Sequence, residues 1–209
     1  MSTNNPKKPF SMIREFTLAD WFTLGNAVSG MGAMFSIMTY LQNGEVLHVY
    51  FACALVLAAF IFDVLDGRIA RWRQKTSVLG RELDSLADVI SFGVAPALIA
   101  YGCGMQGLYD RVILTAFVAC GVSRLARYNV TAEAFSEEGQ GKVKYFEGTP
   151  IPTSLLLVFV LFLAARQGAL HHSLWFGNVM LGGFMLHPLV LMFALSGSLM
   201  VSRIRIPKL

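Results

Sequence analysis

Four aspartates interrupt a chain that is otherwise strongly apolar. Asp63 and Asp66 are three residues apart, and Asp84 and Asp88 are four apart. On a helix either spacing places both side chains on one face. The stretch between the pairs is short and basic, holding Arg68, Arg71, Arg73, Lys75 and Arg81, and it predicts an antiparallel hairpin. All four carboxylates can then converge at one depth. Clustered anions repel one another and resist removal from water, and hard divalent cations relieve both problems. An oxygen-only ligand set suits Mg²⁺, Mn²⁺ or Ca²⁺ rather than zinc, and four carboxylates on two helices suit two ions. Salt bridges to the flanking arginines are the simpler explanation, and for one acid they would suffice. Two pairs at helical spacing favour chemistry, because acids within a membrane are functional by default.

The elements that must position these acids follow from composition. Of the 209 residues, 55% are hydrophobic and 14% charged, with a mean hydropathy of +0.57. An ordinary soluble domain is about 25% charged, so a soluble enzyme and a disordered chain are both excluded. The balance predicts an all-α, polytopic membrane protein. A bilayer core of about 30 Å needs about 20 helical residues. Six apolar runs meet that need, at roughly 19–41, 46–67, 84–104, 109–129, 150–168 and 174–202. A polar tail and a short amphipathic piece at 10–18 precede them and suit an interfacial helix. The first run has no good cleavage site after it and reads as a retained span. The last run contains Pro188 and exceeds a span, which predicts a tilt or kink. Residues 1–209 read as one membrane domain, of which 1–18 are tail and interfacial helix.

Basic residues set the orientation. With six spans, one side collects fifteen of the seventeen Lys and Arg residues, and the other holds only Arg111 and Arg166. Both termini and the aspartates are therefore expected on the cytoplasmic side. The formal charge of +4 belongs to membrane-flanking loops, so no nucleic-acid partner is indicated. Cys53, Cys103 and Cys120 are scattered through apolar runs without a C-x-x-C, and neither a zinc site nor a disulfide frame follows. Gly25, Ser29 and Ala33 share one face of the first run and suit close helix packing.

Single residues carry weaker signals. Gly67 would let a bulky ligand approach the backbone, or it is a helix-end glycine. Gly80 reads as a turn before the third span. Arg71 can bind a phosphate bidentately, or it is one more cytoplasmic arginine. His171 and His172 read as solvated surface, His187 as a packed, hydrogen-bonded side chain within the last span, and Asp110 and Glu45 as loop charges.

The pattern D-x-x-D-G-x-x-A-R-x8-G-x3-D-x3-D, met at every specified position from Asp63 to Asp88, resembles the signature of the CDP-alcohol phosphotransferases. The six-span plan is similar as well. The resemblance implies an integral membrane enzyme, homodimeric, that moves a phosphatidyl or similar group from a CDP-linked lipid to an alcohol and releases CMP. It implies metal binding, by two Mg²⁺ or Mn²⁺ ions, at Asp63, Asp66 and Asp84. Asp88 would also face the metals and act as general base. Gly67, Ala70 and Arg71 would line the nucleotide site, and Asn26, within Thr23-Leu-Gly-Asn26, would add a polar contact to it.

Flanking residues narrow the acceptor. The segments from Asp84 to Pro96, Arg124 to Asn129 and Phe146 to Pro152 resemble the branch that accepts L-serine. Val89 stands where branches accepting phosphorylated alcohols place a basic residue. The expectation is transfer from CDP-diacylglycerol to L-serine, giving phosphatidylserine and CMP. Arg124 or Arg127 would hold the serine carboxylate or a donor phosphate, unless they are helix-end cations reaching for the interface. Asn129 would orient the acceptor or cap its helix. The alternatives are another acceptor, such as glycerol phosphate, inositol phosphate or choline, and a divalent-cation transporter. The transporter is disfavoured because the acids gather at one edge only.

Overall fold

A computed structural model describes residues 16–73, 78–137, 145–202 and 205–207. The expected interfacial helix at 10–18 falls largely outside the described residues. The described residues form seven α-helices: α1 (Leu18–Asn43), α2 (Leu47–Arg73), α3 (Val78–Asp88), α4 (Ala95–Cys103), α5 (Leu108–Glu137), α6 (Ser154–Arg166) and α7 (Leu191–Val201). Two short antiparallel ladders complete it. Strand β1 (Tyr145–Glu147) pairs with β4 (Arg205–Pro207), and β2 (Val179–Leu181) pairs with β3 (Phe184–Leu186).

Helix α1 opens on a reciprocal cap, in which Thr17 Oγ1 accepts from the Asp20 amide and Asp20 Oδ2 accepts from the Thr17 amide. It closes at Gly44, whose φ of 73° places it in the left-handed region. Its buried face carries Asp20, Thr23, Asn26, Ser29, Gly30 and Ala33, while Trp21, Val28, Met31, Phe35 and Met38 are exposed. Polar and small residues inside, with large apolar ones outside, are the arrangement that lipid favours. The small inner residues let α1 lie close to its neighbours. A Cβ on Gly25 would touch the Phe62 ring of α2 at 3.4 Å, and one on Gly30 would collide with Ser91. Each acid-bearing helix, α2 and α3, makes its closest backbone packing against α1. The two acid-bearing helices of the expected hairpin are thus joined through a third helix, α1, rather than by packing directly on each other.

Among the described residues two helices, Leu47–Trp72 and Leu79–Cys103, are long and apolar enough to cross a membrane. The second is not uniform. Between α3 and α4, residues Val89–Val94 form a π-helical stretch, and the Ala95 amide bonds the Ile90 carbonyl five residues back. Pro96 explains the widening, because an α-helical ring at that position would strike the carbonyl of Phe92. Such widenings recur beside functional sites, and this one begins one residue after Asp88.

Several boundaries depart from expectation. Helix α2 runs on to Arg73, so Gly67 lies inside it and is not a helix-end glycine. Helix α3 begins at Val78, which places Gly80 in its first turn rather than in a loop. Helix α5 continues to Glu137, so Asn129 caps nothing. The largest difference concerns 174–202. Only Pro188–Val201 is helical, and the preceding part is the β2–β3 hairpin. Gly182 and Gly183 have φ of 56° and 84°, the backbone that a two-residue turn between right-twisted strands requires. Pro188 then begins the terminal helix instead of kinking a longer one.

Asp110 also needs correction, and so does the placement of His187 within a span, although His187 is the packed, hydrogen-bonded side chain expected. Asp110 is fully buried, not a loop charge, and His187 lies in extended chain between β3 and the last helical segment. Asp110 accepts from the amides of Gly107 (2.8 Å) and His187 (2.9 Å), and its Oδ2 lies 2.6 Å from His187 Nδ1. This clasp ties the hairpin to the start of α5. Replacing Asp110 with Ala strands the half-buried Gly107 amide and two buried His187 groups and is expected to cost about 3 kcal/mol. The check is a lowered thermal unfolding midpoint in detergent. Divalent-metal binding at the aspartates should persist below that midpoint, because Asn129, beside α3, is about 28 Å farther along α5.

Candidate active site

The aspartates occupy the inner faces of α2 and α3. One carboxylate oxygen each from Asp63, Asp66 and Asp84 lies within 4.8 Å of the other two. Asp66 and Asp88 are buried, and Asp63 and Asp84 are half-buried. At an effective dielectric of about 20, two unit charges at this spacing repel by about 3–4 kcal/mol. Three such charges call for a counter-charge. Asp84 Oδ1 is buried with no hydrogen-bond partner among the described residues, an acceptor available to a ligand. These donors fit a hard divalent cation, which Asp63, Asp66 and Asp84 would hold.

Asp88 stands beside this trio and outside it. Its Oδ1 accepts from Asn26 Nδ2 at 3.2 Å, and it still interacts electrostatically with Asp63, Asp66 and Asp84. Asn26 is fully buried, and its carbonyl Oδ1 has no hydrogen-bond partner among the described residues. Its backbone carbonyl accepts from Ser91 Oγ at 2.9 Å, which anchors the π-helical stretch to α1. One turn earlier on α1, Thr23 Oγ1 donates to Asp66 Oδ2 at 2.7 Å. Sequence reasoning passed over Thr23, although its i, i+3 spacing from Asn26 put both on one face.

Gly67 faces open space. A Cβ built there meets only Arg71 Nη2, at 3.9 Å. Glycine inside a helix costs about 1 kcal/mol relative to alanine, so packing against protein does not account for its presence. Ala70 is half-buried, and Arg71 is exposed on the same turn.

On α5 the expected acceptor residues separate. Arg124 is half-buried, interacts electrostatically with Asp88, and keeps a buried Nε with no hydrogen-bond partner among the described residues. Arg127 is exposed. Asn129 is buried and ties α5 to α3, its Nδ2 donating to Ser85 Oγ at 3.0 Å and to Glu82 Oε1 at 3.2 Å. It holds the helix that carries Asp84 and Asp88. The segment after Gly148 is pinned to α7, with the Thr149 amide bonding the Leu199 carbonyl at 3.3 Å. Thr149 Oγ1 and Ser154 Oγ, at the α5–α6 turn, are likewise buried without partners. Unsatisfied buried polar atoms thus occur on α1, α3, α5 and this turn, a distribution that suits a polar ligand more than a finished core.

Several named proteins are similar to this chain. A protein of Saccharomyces cerevisiae named CDP-diacylglycerol–serine O-phosphatidyltransferase is 43% identical over 202 residues, covering 95% of this chain and 73% of its own length. One of the same name from Helicobacter pylori is 39% identical over 193 residues, 89% of this chain and 70% of its own. An archaetidylserine synthase of Methanothermobacter thermautotrophicus is 36% identical over 163 residues, 76% of this chain and 62% of its own. The family model for CDP-alcohol phosphatidyltransferase matches residues 16–196, which takes in α1 with Thr23 and Asn26, all four aspartates and Arg124. With the acid geometry, this match places the chain in the CDP-alcohol phosphatidyltransferase family.

Proposed function

We propose that this protein transfers the phosphatidyl group of CDP-diacylglycerol to L-serine, forming phosphatidylserine and releasing CMP. The observation that carries the reading is the Asp63, Asp66 and Asp84 trio with Asp88 held beside it by Asn26. Relatives named for different lipids, diacylglycerol and archaetidyl, share serine in their names, which supports the acceptor more strongly than the lipid tails. The reading includes one membrane domain with six helical crossings (α1, α2, the α3–α4 rod, α5, α6 and the Pro188–Val201 helix) and assembly as a homodimer. The fifteen-to-two division of basic residues supports a cytoplasmic site and cytoplasmic termini. There the lipid tails stay in the bilayer while serine arrives from water.

Each residue then has a task. Two divalent ions, Mg²⁺ or Mn²⁺, would neutralise the pyrophosphate and ease departure of CMP. Asp63, Asp66 and Asp84 would hold these ions in place. Gly67 leaves room for the nucleotide beside α2, with Ala70 and Arg71 on the adjoining turn. Asn26, its amide committed to Asp88, has its carbonyl left to accept from the base. The serine hydroxyl oxygen forms a bond to the lipid-side phosphorus as the bond from that phosphorus to the CMP oxygen breaks. Asp88 takes the hydroxyl proton through the oxygen that Asn26 leaves free. Arg124 faces this carboxylate from α5 and can bind the carboxylate of serine.

Replacing Asp63, Asp66 or Asp84 with Asn is expected to abolish CMP release and weaken Mn²⁺ binding, whereas Asp88→Asn should abolish release yet retain CDP-lipid binding. Near-normal turnover in any of the four would sink the reading. Gly67→Val should lose CDP-lipid binding without lowering the thermal unfolding midpoint, since its side chain enters open space. Arg124→Ala should raise the KM for serine about 10-fold, equivalent to about 1.4 kcal/mol, and Arg127→Ala should raise it less. Comparing L-serine, glycerol 3-phosphate, inositol phosphate and choline in CMP release tests the acceptor. Stimulation by another alcohol, with none by serine, overturns the serine assignment and leaves the family chemistry standing.

A further inference from the structure

Helix α1 supplies none of the three gathered carboxylates, yet it reaches one of them directly. Thr23 is 3% exposed, and its Oγ1 donates to Asp66 Oδ2 at 2.7 Å across 43 residues of sequence. The same hydroxyl lies 3.2 Å from the Ala19 carbonyl, four residues back on α1. A threonine hydroxyl has one proton, and the shorter contact, to a carboxylate, is the stronger of the two. The Ala19 contact has a separate consequence. Threonine in a helix divides between two χ1 rotamers, one of which lets Oγ1 approach the carbonyl four residues back. Thr23 adopts that rotamer, so its hydroxyl is already aimed when it meets Asp66.

We propose that Thr23 is a positioning residue for the metal site: its hydroxyl fixes the Asp66 carboxylate in the orientation that shares a divalent cation with Asp63 and Asp84. The inference rests on the metal reading above. A carboxylate on a helix can swing about two side-chain torsions, and ordering it on binding costs free energy. A hydrogen bond from a rigid neighbour removes part of that cost in advance. Partners of this kind behind metal ligands alter affinity by about 10–100-fold when lost.

The test compares Thr23→Val, Thr23→Ala and Thr23→Ser with wild type and Asp66→Asn, reading Mn²⁺ binding to the substrate-free protein by electron paramagnetic resonance. Thr23→Val and Thr23→Ala are expected to bind Mn²⁺ about 10-fold more weakly. Thr23→Ser, which restores the hydroxyl, should stay within about 2-fold of wild type. The Mn²⁺ concentration that half-activates CMP release should shift in parallel, with the KM for serine unchanged at saturating Mn²⁺. Should Thr23→Val fail to fold, the Ala and Ser variants decide alone, since they differ only by the hydroxyl oxygen. Wild-type Mn²⁺ affinity in Thr23→Ala, or equal weakening in Thr23→Ala and Thr23→Ser, overturns the role of the hydroxyl. Unchanged binding in Asp66→Asn instead overturns the metal reading on which the inference rests.

Discussion

Three carboxylates within 4.8 Å of one another repel, and a bundle that brings them together must supply the opposing work. That work comes from packing. The largest contribution passes through α1, which lies against α2 and against α3 and fills the position that a direct pairing of the acid-bearing helices would take. Its small residues permit the approach, with Gly25 under Phe62 and Gly30 under Ser91. Its polar residues then reach the acids, Thr23 to Asp66 and Asn26 to Asp88. Asn129 secures the other flank of α3 from α5. The site is a strained electrostatic arrangement within a well-packed frame, which is the condition in which binding a cation is most favourable.

The frame suits lipid surroundings for the same reason that it suits the acids. In water, burying Asn26, Ser29 and Thr23 while exposing Trp21, Phe35 and Met38 would oppose folding. In a bilayer, exposed apolar side chains cost nothing, and interhelical contact depends on small residues and hydrogen bonds. The Asp110–His187 clasp follows this logic at the opposite end. A buried acid there is fully engaged by two amides and an imidazole, unlike Asp84, which keeps an unpartnered oxygen. That contrast argues against an ion path through the molecule, because the far-end acid has its acceptors committed.

The amino-acid sequence by itself determined the membrane class, the course of α1 and α2, the kinship, and the gathering of the four aspartates. Those features are written in composition and in local spacing, which survive without knowledge of the fold. Tertiary structure decided the rest. The hairpin at Val179–Leu186 was hidden because an apolar run has the same composition as helix or strand, and two adjacent glycines at positive φ break the tie only once the turn forms. The separation of Arg124 from Arg127, three residues apart on one helix, depended on which of them meets Asp88 across the bundle. Asn129 turned from acceptor candidate to a tie between helices because its partners, Glu82 and Ser85, are more than forty residues away in sequence. Thr23 was passed over for the same physical reason: a hydroxyl in an apolar helix has no local signature, and its meaning comes from the carboxylate that folding carries to within 2.7 Å.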